Sequence, residues 1–389
     1  MVHALVVSDK RETRLRRDAR AAIGVQMQRL LVLLLVTAVA FFPAYVEAAC
    51  VGTSVIAFGA KGDGHTDDTA AIQRAINAAA ATGGGAVVFN VARYYTTGAF
   101  TLPHGVVFCG AVEGPFDVVG TDPSTITVAP TLLVTNRTTS FIRLQGQNSG
   151  VTDMLFHYPN QAKSSASLPQ TYPYTITVTQ PGTKVARSTV TNAYNFLDIE
   201  VGRTMAQDLF IGAFKIGINI DHAQDHVTLR NVHHTVFWDV LENVPYPSTI
   251  DIWVLNHAYA LVVGRIDSLQ INEFFVFGRY AGMLLRDSLD TSQNPRCGYG
   301  TGSDIDLDTV QYGIIVPAAN GPGYKFTNVD LGPAPGLGKA AVSLPVGGSL
   351  IPSVVINGGS TRSIWAQGPF PSPKSGTLTV TNVIGFNVN

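Results

Sequence analysis

Two groups of residues in this chain have the types and spacing to do chemistry. The first is the alternation Asp304-Ile305-Asp306-Leu307-Asp308. Residues two apart in a β-strand point to the same side, so the three carboxylates should face outward while Ile305 and Leu307 face a core. Such a row offers hard oxygen ligands for calcium, or the acid and base of a glycosidase. A solvated strand face is the plain alternative. The second group is Asn219-Ile220-Asp221-His222, Asp225-His226, His233-His234, Trp238-Asp239, Glu242 and His257. Asn219 and Asp221 would share a strand side, and Asp221, Asp239 and His257 follow one another at equal steps. In a coiled chain with that repeat they would stack. One Asp as acid and another activating water suffice for inverting hydrolysis. We therefore take Asp221, Asp239 and His257 as catalytic candidates, with Asn219, His222, Arg265 and Trp238 holding the sugar. No metal is needed for that reaction. Elimination would instead require a base and a cation beside a carboxylate, and Arg230, Arg265, Arg279 and Arg286 are available for it. The histidines lack the helical spacing of a zinc site, because the region reads as strand.

What must position these residues is a succession of short β-rich runs from about residue 100, punctuated by Gly, Pro, Asn and Asp. Several runs share an Asn or Asp ahead of an apolar residue: Asp208-Leu209, Asn231-Val232, Asn328-Val329 and Asn382-Val383. The interval from Asp208 to Asn231 is close to that from Asp308 to Asn328. Repeats of this length cannot bury their own faces and so stack as a solenoid. Amides at the same turn of successive coils would then bond one another. Residues 159–174, 287–303 and 332–352 read as loops laid over the scaffold.

The densest local signal is FGAKGDGHTDDTAAIQRAI, from Phe58 to Ile76. Glycines 59, 62 and 64 permit tight turns, and Ala71, Ile72, Ala75, Ile76 and Ala79 form one helical stripe. Asp67 and Asp68 read as caps of that helix rather than as an acid–base pair. This run resembles the N-terminal signature of the pectate-lyase-like, right-handed parallel β-helix superfamily, densely over residues 56–89. The resemblance implies an all-β, single-stranded right-handed parallel β-helix whose N-terminal α-helix plugs one end of the coil. It does not carry an activity. Polygalacturonases of that superfamily use an Asn-x-Asp strand, an Asp pair, Gly-His-Gly and Arg-x-Lys. Only Asn219-Ile220-Asp221 fits here. The β-helix pectate lyases use an arginine base with calcium, and Ile220-Asp221-His222 echoes their Asp-His strand.

Residues 30–42, LLVLLLVTAVAFF, follow Arg29 and precede Val46-Glu47-Ala48, the pattern of a secretory signal peptide. The run is shorter than the ~20 residues that span a bilayer, although extension to Val46 would make a signal anchor. Translation from Met27 would supply an ordinary leader. The expected organisation is therefore a leader over 1–49 and one β-helix domain over 50–389, secreted or held in the cell envelope, touching a membrane only if the apolar segment is retained. An exported chain with three cysteines has one disulfide to make, and Cys50–Cys109 would tie the N-terminus to an early coil, leaving Cys297 as a thiol. A formal charge of −1 with 14% charged residues gives no basic patch for nucleic acid. The expected partner is an extracellular polysaccharide, cleaved by hydrolysis ahead of β-elimination or epimerisation. A non-catalytic carbohydrate-binding β-helix, and trimerisation as in viral tailspikes, are the other readings. Calcium is expected only in the lyase reading or at the Asp304 row.

Overall fold

The computed structural model describes residues 50–118, 125–161, 168–238, 249–290, 298–317, 323–334 and 337–343, and the short segments 354–358, 366–367 and 378–381. The leader over 1–49, Asp239, Glu242 and Cys297 lie outside the described residues.

The strands wind as a right-handed parallel β-helix. Among the described residues every pairing is parallel and joins a strand to one in the next coil. Lys184–Ile199 pairs along its length with Thr204–Ile220. The first half of Thr204–Ile220 then pairs with Ala223–Thr235, the second half with Tyr259–Val263. From there one side continues through Ile266–Phe277, Tyr299–Val310 and Gly323–Pro333. The other continues through Ala281–Leu285, Tyr312–Ile315 and Ala340–Ser343. A parallel sheet needs its inner side filled, and alternate residues of each strand fill it. Ile199, Ile220, Val263 and Leu285 make one fully buried column. Near the N-terminus the core is aromatic: Phe89, Phe108, Phe100 and Phe141 meet edge to face, with centroids 4.8 to 5.7 Å apart, the arrangement that ring quadrupoles favour.

The helix Thr69–Ala81 buries the stripe read from the sequence, Ala71 to Ala79, in this core. Its acidic start works differently from the expectation. Asp68 stands at the N-cap position but makes no cap bond. Its carboxylate instead accepts from the Lys61 and Gly62 amides, at 2.6 and 3.0 Å, and so ties down the glycine loop. Asp67 accepts from the Thr69 amide and hydroxyl. Both carboxylates are structural. Cys50 and Cys109 form the expected disulfide, with Cα atoms 6.1 Å apart.

One corner recurs with a single residue in the left-handed region. Asp153, Arg187, Asp208, Asn231, Glu273, Asp304 and Asn328 have φ between 42° and 62° and are in register from coil to coil. Asn and Asp tolerate this conformation better than other side chains. They also bond along the column: Asn231 donates to Asp208 at 2.9 Å, and Asn328 donates to Asp304 at 2.7 Å. The ladder expected from Asp208, Asn231 and Asn328 is present, but the partner of Asn328 is Asp304, at the corner of the preceding coil, rather than Asp308. Replacing Asn328 by Ala should cost about 1–2 kcal/mol, from the lost bond and the strained φ. Replacing it by Gly should cost less, because Gly takes φ > 0 freely. Urea unfolding of both variants checks this, and a Gly variant as unstable as the Ala one would contradict it.

Asp304 therefore stands at a corner, where the strand bends, and its carboxylate is taken by Asn328 and, at 3.4 Å, Asn272. Ile305 and Leu307 are buried as expected. The three carboxylates of 304, 306 and 308 do not converge. Among the described residues, the one set of three acidic, Cys or His ligand atoms within 4.8 Å of one another is Cys50, Cys109 and Asp153. Two of those atoms are already spent in the disulfide. The calcium row read from the alternation is corrected accordingly.

Candidate active site

On the side that carries Tyr174–Val178, Asn195–Ile199, Ile216–Ile220 and Tyr259–Val263, one outward row reads Arg143, Thr177, Asp198, Asn219, Val262 and Leu284. Each of these lies between inward-facing apolar residues, so the pleat itself turns it out. Asn219 donates from Nδ2 to Asp198 Oδ1 at 2.7 Å. Burial pushes the Asp198 carboxyl up to about 6, Asn219 opposes it, and the nearby Glu200 and Asp221 charges add to it, with His222 acting the other way. Glu200 is exposed and directly follows the last strand residue, Ile199, with its amide bonded to the Val178 carbonyl. Tyr174 reaches the same place: burial, then the Asp198 charge, raise its hydroxyl well above the ordinary tyrosine range.

Asp221 does not share this side. The strand ends at Ile220, and His222 has φ 59°, so the chain turns and the Asp221 side chain enters the corner. There it is 5% exposed and accepts from the amides of His222, Arg265 and Leu289 at 2.9, 2.9 and 3.2 Å. Arg286 Nη1 adds a fourth bond at 3.1 Å. Burial pushes this carboxyl up, but the bonds from Arg265, Ser288, Leu289 and His222 outweigh it and hold it below the usual range. The next coil makes room with Gly264, where any Cβ would run into the carboxylate. Asp221 is thus the anchor of the segments at 264–265 and 286–289, an ionised group behind the row rather than a proton donor in it. His222 and Arg265 do face the same neighbourhood. With Gln224, Ser288 and Asp290 they line a small cavity of 80 Å³, and His222 Nε2 lies 3.7 Å from Asp290.

The rest of the expected cluster is dispersed. The stacking at equal steps fails because the coil after Ile220 is long, and the residue that comes to lie beside Ile220 is Val263. The intervening chain includes the helix Thr249–His257 in a region read as strand. His257 is exposed at its C-terminal end, stacked on Trp253 with centroids 4.5 Å apart. Its carbonyl accepts from Lys215. By register it lies alongside the chain before Ile216, well back along the strand from Asp221. Trp238 is 6% exposed and stacks on Phe210 at 4.4 Å, within an apolar cluster that includes Phe116 and Leu155. It packs a different side of the coil and cannot hold a sugar beside Asn219. Among the arginines, Arg279 is fully buried and donates to His234 Nε2 at 3.0 Å, and Arg230 belongs to the opposite strand series. Of the four arginines considered for elimination, Arg265 and Arg286 border the site.

Sequence reasoning missed Asp198 and Glu200. Their signal was available: Phe196-Leu197-Asp198-Ile199-Glu200 alternates like a strand, and Asp198 precedes Asn219 by one coil.

Comparison with known proteins agrees with the fold. Residues 52–236 match the family described as rhamnogalacturonase A/epimerase, pectate lyase-like. No curated protein matches the chain. Among solved structures, the A-module of the mannuronan C-5 epimerase AlgE4 from Azotobacter vinelandii is similar, with a TM-score of 0.51 at 16% identity, over 86% of this chain and 97% of that one. The tailspike protein of E. coli bacteriophage HK620, solved in complex with a hexasaccharide, has a TM-score of 0.50 at 10% identity, over 85% of this chain and 65% of that one. At these identities the likeness is one of fold.

Proposed function

From a chain that belongs to the pectate-lyase-like right-handed parallel β-helix superfamily, we propose an exported enzyme that hydrolyses glycosidic bonds of a polysaccharide, with Asp198 as general acid. One observation carries this reading: a carboxyl held near 6 by burial, aimed outward beside an exposed second carboxylate. A general acid works best when its pKa lies near the working pH. Asp198 can therefore hold a proton for the leaving oxygen in mildly acidic surroundings. Glu200 is two residues on, just past the end of the strand, and its exposed carboxylate is near enough for its charge to raise the Asp198 carboxyl. Inverting glycosidases keep their carboxyls ~6.5–9.5 Å apart, leaving room for the attacking water. Glu200 is the group to take the proton from that water. Asn219 orients Asp198 and spends one of its oxygens, leaving the other for the substrate. Asp221, ionised behind them, disfavours a second charge on Asp198 and offsets part of the positive charge that develops on the sugar. The activities for which the matching family and the epimerase are named, and the oligosaccharide on the tailspike, support a polysaccharide as the substrate class.

The test is mass spectrometry of products after the chain from Cys50 onward is incubated with a polysaccharide panel. Fragments that gain one water per cut are expected. Unsaturated fragments without that water would mean elimination and would move the chemistry to Arg265 and Arg286. Absence of cleavage across the panel, with the polymer still retained by the protein, would favour a binding module.

A further inference from the structure

The strands Ile266–Phe277, Tyr299–Val310 and Gly323–Pro333 enclose a second concavity, on the side of the coil that precedes the corner column. The Asp198 row belongs to the other strand series, so the two places are separate. This cavity measures 380 Å³, within the ~300–1,000 Å³ range of small-ligand sites. Successive coils bring Ser268, Tyr299 and Gly323 into one row and Gln270, Thr301 and Lys325 into the next. Gly300 and Gly323 line the cavity with backbone alone, and Gly300 has no choice, because a Cβ there would meet the Leu269 carbonyl. The Tyr299 side is open, with the residue 43% exposed.

Four of the polar side chains around this space are unspent, buried Tyr324 being the exception. Among the described residues, the hydroxyls of Ser268, Tyr299 and Thr301 and the ammonium of Lys325 make no side-chain hydrogen bond, and no carboxylate pairs with Lys325. Partly exposed threonines elsewhere on the coil bond a neighbouring strand, as Thr135 and Thr179 do. A half-exposed aromatic ring, free hydroxyls and one free cation around a cavity suit one class of ligand well. That class is a sugar residue carrying a carboxylate. The ring packs against the apolar face of a pyranose, the hydroxyls exchange bonds with its hydroxyls, and the ammonium pairs with the acid.

We propose that this cavity is a second saccharide-binding site, which takes an acidic sugar unit of a polysaccharide at a distance from the site of cleavage. Its carbohydrate character rests on the function proposed above. Its location and lining do not. A second foothold on the same polymer raises the effective concentration of that polymer at the protein without changing turnover of oligomers too short to reach both places.

The experiment separates the two claims. Asp198→Asn protein, used so that polymer is not consumed, is run in native gels containing polygalacturonate, alginate or neutral dextran. Retardation by at least one of the two acidic polymers and not by dextran is expected. Adding Tyr299→Ala or Lys325→Ala should weaken that retardation by roughly tenfold in apparent affinity. Both residues are exposed, so the fold should survive, and circular dichroism checks it. Retardation that ignores both substitutions, or no retardation by either acidic polymer, overturns the proposal. Neither outcome depends on whether the parent protein cleaves, which product analysis decides alone.

Discussion

Asp198→Asn should lower kcat/KM on a cleaved polysaccharide by ~10²–10⁴-fold, the usual contribution of a positioned proton donor. Asn has nearly the same shape, and its Oδ1 can still accept from Asn219, so the row should keep its geometry. The wild-type rate should also carry the signature of the group. Because Asp198 must be protonated to act, kcat/KM should fall as pH rises through about 6, the value to which burial lifts it. Stability moves in a linked way. The folded-state value lies above the unfolded value of 3.8, so the stability contributed by the neutral carboxyl is fully present below about 3.8 and is lost as pH rises through about 6. Asn cannot ionise. The variant should therefore match the wild type in stability near pH 3.8 and exceed it above pH 6, by about 1 kcal/mol once the shift is discounted for partial exposure. Activity that survives in a folded Asp198→Asn protein would remove Asp198 from the mechanism. A pH profile flat between 5 and 7 would do the same.

The largest loss of stability is expected at Asp221. Replacing it by Ala strips a buried carboxylate from three backbone amides and from Arg286, whose side chain is itself only 16% exposed. Breaking one partner of a buried pair typically costs ~3–5 kcal/mol, and the orphaned amides add to that. Arg286→Ala should cost less, because three amides would still hold the carboxylate. The ordering, not only the size, is diagnostic: thermal or urea unfolding should place Asp221→Ala well below Arg286→Ala. In a solenoid each coil leans only on its neighbours. Hydrogen exchange in Asp221→Ala should therefore quicken around residues 220–222, 264–265 and 286–289 before it does in the first coils. Two variants of equal stability would mean that the charge pair, rather than the amide cradle, does the holding. Activity is lost in Asp221→Ala too, but as a consequence of the displaced segments.

The contrast between Asp198 and Asp221 shows where sequence reasoning reached and where it stopped. The fold was legible because its signals are local: the glycines and the helical stripe between Phe58 and Ala79, and the Asn and Asp that can bear a left-handed φ at Asp208, Asn231 and Asn328. Side-chain direction within a strand was legible too, as Ile305 and Leu307 show. What a strand does at its end was not. Asn219 and Asp221 look like one strand side until His222 adopts a positive φ one residue later, and nothing in the letters fixes that bend. Spacing misled for a related reason. The equal steps from Asp221 to Asp239 to His257 have meaning only if the coil length is constant, and the coil that follows Ile220 contains a helix. Asp198 was overlooked because it stands between apolar neighbours with no motif around it. Only the register with Asn219 gives it significance.

The single-residue corner has a practical consequence for anyone who would remodel this scaffold. Seven successive coils make that bend with one residue, so an insertion there would turn the inward side chains of the strand that follows it to the wrong side. The opposite bends carry no such constraint. The coil from Leu209 to Val232 is short, the next one from Val232 to Phe274 is far longer, and the register on either side is kept. Grafted peptides, tags or recognition loops belong in the stretch between Trp238 and Thr249. The corner from Asp153 to Asn328 should be treated as the spine that sets the reading frame.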